Sequence, residues 1–88
     1  MMNKLVIEFL GTMFFLYVIL ASGNPLAIGL ALVVAIMVAV KEHEGGYFNP
    51  AVAVMMAAAG KLKKNDLLPY IVAEVAGGLA ALELHKKM

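Results

Sequence analysis

The chain has 88 residues, 64% of them hydrophobic and only 15% charged, with a formal net charge of +1. A soluble domain usually carries about 25% charge, so this balance points to lipid. Cysteine is absent, which excludes disulfide scaffolds, thiolate catalysis and zinc–thiolate sites, and the lack of arginine sets nucleic-acid binding aside.

In chain order, the first apolar run covers about 5–21 and is interrupted only by Glu8 and Thr12. About 17 residues are just enough to span a bilayer. One lysine precedes the run and no cleavage site with a soluble domain follows, so a cleavable signal peptide is not expected. Ser22-Gly23-Asn24-Pro25 reads as a turn, and a second span is expected over about 25–41, uncharged from Leu26 to Val40. Lys41-Glu42-His43-Glu44 reads as a polar patch at a membrane surface. His43 belongs to a solvated turn there, because adjacent residues rarely converge on one ion; no metal or cofactor is expected.

Gly45-Gly46-Tyr47-Phe48-Asn49-Pro50 then opens a short uncharged helix over about 50–60. Asn49 is a good N-cap, Pro50 suits the first helical position, and Gly60 is a plausible stop. At 1.5 Å per residue, about ten residues reach only half of a hydrocarbon core about 30 Å thick. The pattern suggests a re-entrant half-helix, which is tolerated only inside protein or beside a water-filled cavity. Lys61-Leu62-Lys63-Lys64-Asn65 is solvated. Asp66 is the expected cap of a last span over about 67–84, with Pro69 in its first turn. The expected fold is therefore an all-α membrane protein, one unit over 1–88, with three transmembrane helices plus one re-entrant half-helix. Lys4, Lys41, Lys61, Lys63 and Lys64 fall on one side, against Lys86 and Lys87 on the other. The N-terminus is accordingly expected in the cytoplasm and the chain in the cell membrane, plasma or inner.

Glu8 and Glu74 are the anomalies of the spans, since an intramembrane carboxylate faces the bundle interior and finds a partner. The loop Gly45 to Phe48 has N–H groups that no regular structure satisfies, so both glutamates are expected to brace it. Snorkelling to a surface and a carboxylate proton relay are the alternatives. Asn49 is either a plain helix cap or a cap whose amide N–H₂ points into a pore, beside a half-helix dipole that repels cations. Gly11, Gly29, Ala73, Gly77 and Gly78 are candidates for close helix approach. No nucleophile–base pair is visible, so an enzyme is not expected.

These residues together resemble the first half of an aquaporin, a member of the major intrinsic protein family. The matching pieces are Ile7-Glu8-Phe9-Leu10-Gly11-Thr12, Ala27-Ile28-Gly29-Leu30, Gly45 to Val52, and Pro69 to Gly78, which together extend over nearly the whole chain. The resemblance implies two inverted repeats whose half-helices meet at the membrane centre. It makes Asn49, Pro50 and Ala51 one of the paired signature motifs, with Asn49 donating to passing water. It makes Glu8 the family's buried glutamate. Glu74 stands where the family usually has glutamine, and Tyr47 where histidine is common. The helix-two filter position falls on Ile28 or Gly29 in place of an aromatic, and the filter arginine has no counterpart.

The leading expectation is half of a passive channel for water or small neutral solutes such as glycerol. It needs a second half, either an inverted copy of itself or a separate chain, in a homo- or hetero-oligomer within the bilayer. The lysine imbalance favours a distinct partner or a truncated gene. The alternative is a small membrane interaction or regulatory protein, or a non-functional fragment of an aquaporin gene.

Overall fold

The computed structural model describes residues 3–88, and among them every regular element is a helix: α1 (Lys4–Ser22), α2 (Pro25–Lys41), α3 (Pro50–Ala58) and α4 (Lys64–Lys87). Three of the four starts are set locally by asparagine. The Oδ1 of Asn3 accepts from Leu5 N–H at 2.7 Å, and that of Asn24 from Leu26 and Ala27 at 2.9 and 3.1 Å. Asn49 Oδ1 accepts from Ala51 N–H at 2.8 Å. Each cap satisfies N–H groups that a first turn leaves free. Pro25 and Pro50 follow two of these caps, where a missing N–H costs nothing. Past the end of α3, Gly60 takes a φ of 78°, a left-handed conformation that glycine adopts without steric cost.

The start of α4 differs from the sequence expectation. The helix begins at Lys64 behind Lys63, which makes no side-chain cap, and Asp66 lies inside the first turn. Lys4 Nζ holds the Asp66 carboxylate at 2.8 Å, so the group that would have capped a later start is engaged by α1. Its negative charge still complements the positive end of the helix dipole. The earlier start puts Pro69 within the helix instead of its first turn, where its missing N–H removes one bond from the ladder. At the other end α4 runs past Leu84 to Lys87, with His85, Lys86 and Lys87 in a last turn whose dipole favours cations.

α1 is the hub: it packs most extensively against α4 and next against α2, while α3 lies on α4. The buried side chains are mostly small or polar. α2 buries Ala31, Ala35 and Ala39, while Leu30, Val33, Val34 and Met37 point outward. α4 buries Tyr70, Glu74, Gly77 and Ala81, one stripe at three- and four-residue spacing. Small residues inside and large apolar ones outside invert the water-soluble pattern and suit helices with apolar surroundings. At Gly77 an added Cβ would stand 2.6 Å from the Phe9 carbonyl oxygen, so α1 and α4 approach backbone to backbone there. Gly29 has nothing within 4 Å of its Cβ position, so no close helix approach depends on it. α1 and α4 are each long and apolar enough to cross a membrane, and α2 is a shorter apolar helix of 17 residues.

Candidate functional site

Residues 42–49, between α2 and α3, form no regular structure, so their N–H groups need partners from elsewhere. Glu8 on α1 supplies two of them. Tyr47 N–H donates to its Oε2 at 3.1 Å and Phe48 N–H to its Oε1 at 2.9 Å. Glu8 is fully buried and sits one turn before Thr12 on the face of α1 turned toward the loop. The bond to Phe48 matters because Phe48 has a φ of 53°. That region costs an L residue about 1–2 kcal/mol, and an outlier of this kind persists only where its surroundings over-determine it. Here the surroundings are Glu8 on the N–H and Gly11 under the ring, for the Phe48 ring fills the space a Gly11 side chain would need. The strained residue directly precedes Asn49, so the same contacts aim the start of α3.

Glu44 is not a surface residue of a polar patch, as its neighbours in sequence suggest. It is only 8% exposed. Its Oε2 accepts from Gly46 N–H at 2.8 Å and its Oε1 from the Tyr70 hydroxyl at 3.0 Å. Tyr70 comes from α4 and its ring lies 5.7 Å from that of Tyr47, so the loop is clamped from a second side. The correction has a simple cause: the loop folds back over α2, where a side chain on Gly46 would stand 2.9 Å from the Ala39 methyl. Burial, and then the adjoining Glu8 carboxyl, push the Glu44 carboxyl from 4.5 up to about 8, against the lowering effect of Tyr70 and Gly46. Burial and the two neighbouring glutamates also raise the Tyr47 phenol. His43 is exposed, in the turn that leaves α2.

Glu74 departs from its expected part. It is 1% exposed, and neither carboxyl oxygen makes a hydrogen bond. The Glu8 carboxyl and the Asn49 backbone lie beside it, but no loop N–H reaches it in bonding geometry. The Phe48 and Ala51 N–H groups on either side are held by Glu8 and by the Asn49 cap, while the Asn49 N–H lies beside Glu74 outside bonding geometry. Thr12 Oγ1 is likewise buried without a partner.

Asn49 and Pro50 open onto a cleft of about 440 Å³ between α1, α3 and α4, whose walls include Thr12, Phe15, Phe48 and Glu74. The lining is mostly apolar, with the polar groups gathered near the α3 N-terminus. Ala51 lies one position behind this rim, and Gly45, Gly46 and Tyr47 stand behind it in the loop. Ile28 and Gly29 on α2 are not brought to this cleft. Sequence reasoning missed Glu44 and Tyr70. The one local signal was the placement of Tyr70 four residues before Glu74, which puts both on one face of a helix.

The family whose model matches, described as Major intrinsic protein, covers residues 1–88. Aquaporin Z of Brucella melitensis biotype 1 is 41% identical over 96 aligned positions, covering 92% of this chain and 42% of that protein. Glycerol uptake facilitator protein-like 6 of Lactiplantibacillus plantarum is 38% identical, covering 91% and 41% respectively. Aquaporin Z of Photorhabdus laumondii is 34% identical, covering 92% and 41%. The chain thus spans about two fifths of the length of these curated relatives. No solved structure matches it significantly.

Proposed function

We propose that this chain, which belongs to the major intrinsic protein family, forms one half of a passive transmembrane channel for water or small neutral solutes such as glycerol. α1, α2 and α4 cross the bilayer, and α3 is a half-helix that enters as a loop and stops near the midplane. The observation that carries this reading is the placement of Asn49 and Pro50 on the rim of the cleft, at the head of a nine-residue uncharged helix. The Asn49 oxygen is used by the cap, so its amide N–H₂ is the group available to a passing hydroxyl. The α3 dipole adds about +0.5 charge at that point, which disfavours cations and protons.

Within this reading Glu8 braces the loop, Glu74 lies behind the Asn49-Pro50-Ala51 motif, and Ile28 or Gly29 is the filter position of this half. The outward-facing apolar residues of α2 and α4 meet lipid or a second half, which is an inverted copy or a separate chain. The N-terminus lies in the cytoplasm, with the lysine-rich side inward. Stopped-flow shrinkage of proteoliposomes holding the chain, alone and with a candidate second half, tests the reading. Water flux above that of empty vesicles, lost in Asn49→Asp, supports it; flux equal to empty vesicles in both preparations refutes it.

A further inference from the structure

Three carboxyls meet behind the loop that precedes α3, and among the described residues no cation is paired with them. Glu8 lies within hydrogen-bond reach of Glu44 on one side and of Glu74 on the other. The three come from different elements: α1, the 42–49 loop and α4. The other titratable groups facing them are two phenols, Tyr47 of the loop and Tyr70 of α4. α2 and α3 turn alanines inward, Ala35 and Ala39 from one and Ala53 and Ala57 from the other. Lys4, one turn before Glu8, is engaged by Asp66. Among the described residues, therefore, no lysine is paired with any of the three.

Glu74 separates this cluster from an ordinary set of braced carboxylates. Glu8 and Glu44 each accept two hydrogen bonds, one at each oxygen, which a carboxyl can do with or without its proton. Glu74 accepts none, and both its oxygens are sealed from solvent. A buried ionised carboxylate without donors is a far costlier state than a neutral acid. Two groups lie beside it, the Glu8 carboxyl and the Asn49 N–H, and the second is outside bonding geometry, so the full bond open to Glu74 is to donate its own proton to Glu8. Like charges in contact cannot all ionise, which is the arrangement in which carboxyls share protons.

We propose that Glu44, Glu8 and Glu74 form a single proton-binding site, in which protons shared along that row replace the missing cations and hold the loop against α1 and α4. Glu8 turns one lone pair of each oxygen to the loop N–H groups and keeps the others as acceptors, so the protons reside on its two neighbours, each with an O–H directed at a Glu8 oxygen. Glu44, the least buried of the three, is where a proton enters from solvent or leaves to it. Loss of a proton leaves two carboxylates in contact, and their repulsion acts on Tyr47, Phe48 and the start of α3. The ligand is the proton, and loop order falls as pH rises. The upward push on Glu44 by its burial agrees with this direction. The proposal rests on the loop geometry and not on the pore, so it stands or falls separately from the transport reading.

The test uses the full chain in phospholipid nanodiscs, titrated from about pH 6 to about pH 10, a range well above free carboxyl values. Infrared spectra follow the carboxylic acid C=O stretch, and amide exchange corrected for intrinsic base catalysis follows Gly46, Tyr47 and Phe48. The expected result is an acid band present at neutral pH that disappears on alkalisation, while loop exchange accelerates about tenfold or more, the equivalent of one pKa unit of coupling. Glu74→Gln, which keeps shape and a donor but has no proton to lose, should remove part of the band. Glu44→Gln, which blocks proton loss at the solvent end, should flatten the exchange profile. Absence of the acid band from the unmodified chain at neutral pH would overturn the proposal without any variant. An alkaline acceleration identical in Glu44→Gln would overturn it too.

Discussion

Replacing Gly77 with alanine tests whether the contact between α1 and α4 sets the geometry of everything above it. The new methyl would stand 2.6 Å from the Phe9 carbonyl oxygen, 3.1 Å from Thr12 Cβ and 3.2 Å from Met13 N. Ordinary contact begins at 3.4 Å, so the helices must part by about 0.8 Å at the oxygen. Two of the three obstacles are backbone atoms of α1, which cannot rotate aside as the end of a side chain would. Overpacking of this kind costs about 1–3 kcal/mol, and the helix-propensity gain of Gly→Ala returns about 1 kcal/mol. The expected net loss is about 1–2 kcal/mol. Gly29→Ala is the matched control, because its Cβ would meet nothing within 4 Å; it should gain up to about 1 kcal/mol from propensity alone. Circular dichroism during dodecyl sulfate titration in mixed micelles measures both. Equal stability of the two variants, or a Gly77→Ala chain as stable as the parent, would refute the argument.

The remaining expectations concern the loop and its carboxyls. Glu8→Leu leaves the Tyr47 and Phe48 N–H groups without an acceptor, at about 1–3 kcal/mol for each that stays buried; amide exchange at those two residues should quicken before the helices melt. Asn49→Ala removes the α3 cap, worth about 1 kcal/mol, and under the channel reading it also depresses water flux in proteoliposomes by more than its loss of folded protein accounts for. For Glu44 the folded carboxyl lies above its unfolded value, so the stability linked to its proton is fully present below about pH 4.5 and is lost as pH rises through about 8. Unfolding titrations across that window should show stability falling with pH, with a shallower slope in Glu44→Gln.

The parts legible in the sequence are those written within a few residues. Asn49 followed by Pro50 marks the start of α3, because cap and proline act on the first turn and need no distant partner. The buried Glu8 is legible as an anomaly, since a carboxylate in an apolar run demands donors and the nearby glycine loop has spare ones. Glu44 is opaque for the opposite reason. It sits in a charged run that resembles every solvated turn, and only the fold of the loop over Ala39 together with the approach of Tyr70 from α4 encloses it. The α4 start fails similarly: Asp66 is a fine cap in isolation, and a lysine 62 positions away in the chain claims it. Glu74 is half legible, because its burial follows from helix spacing while its lack of a hydrogen bond follows from the loop path, which gives Glu8 the Tyr47 and Phe48 N–H groups and leaves that of Asn49 beside Glu74 outside bonding geometry.

One face of α1 links these observations. Glu8, Gly11 and Thr12 are spaced three and four residues apart, so they share a side of the helix. Glu8 takes the loop N–H groups, Gly11 leaves room for the Phe48 ring, and Thr12 packs at the Gly77 contact. The depth at which Asn49 stands therefore depends on how closely α1 approaches α4, a distance set by glycine on one helix and a backbone carbonyl on the other. α3 does little to fix its own position: its buried side chains, Ala53 and Ala57, are small, and Met56, only partly buried, packs against the cluster they form with Leu62 and Tyr70. A strained phenylalanine and a buried glutamate on a different helix do so instead. That is why the Asn49-Pro50-Ala51 triplet, read alone, specifies a helix start but not a site; the site exists only while α1 holds the loop and α4 holds α1.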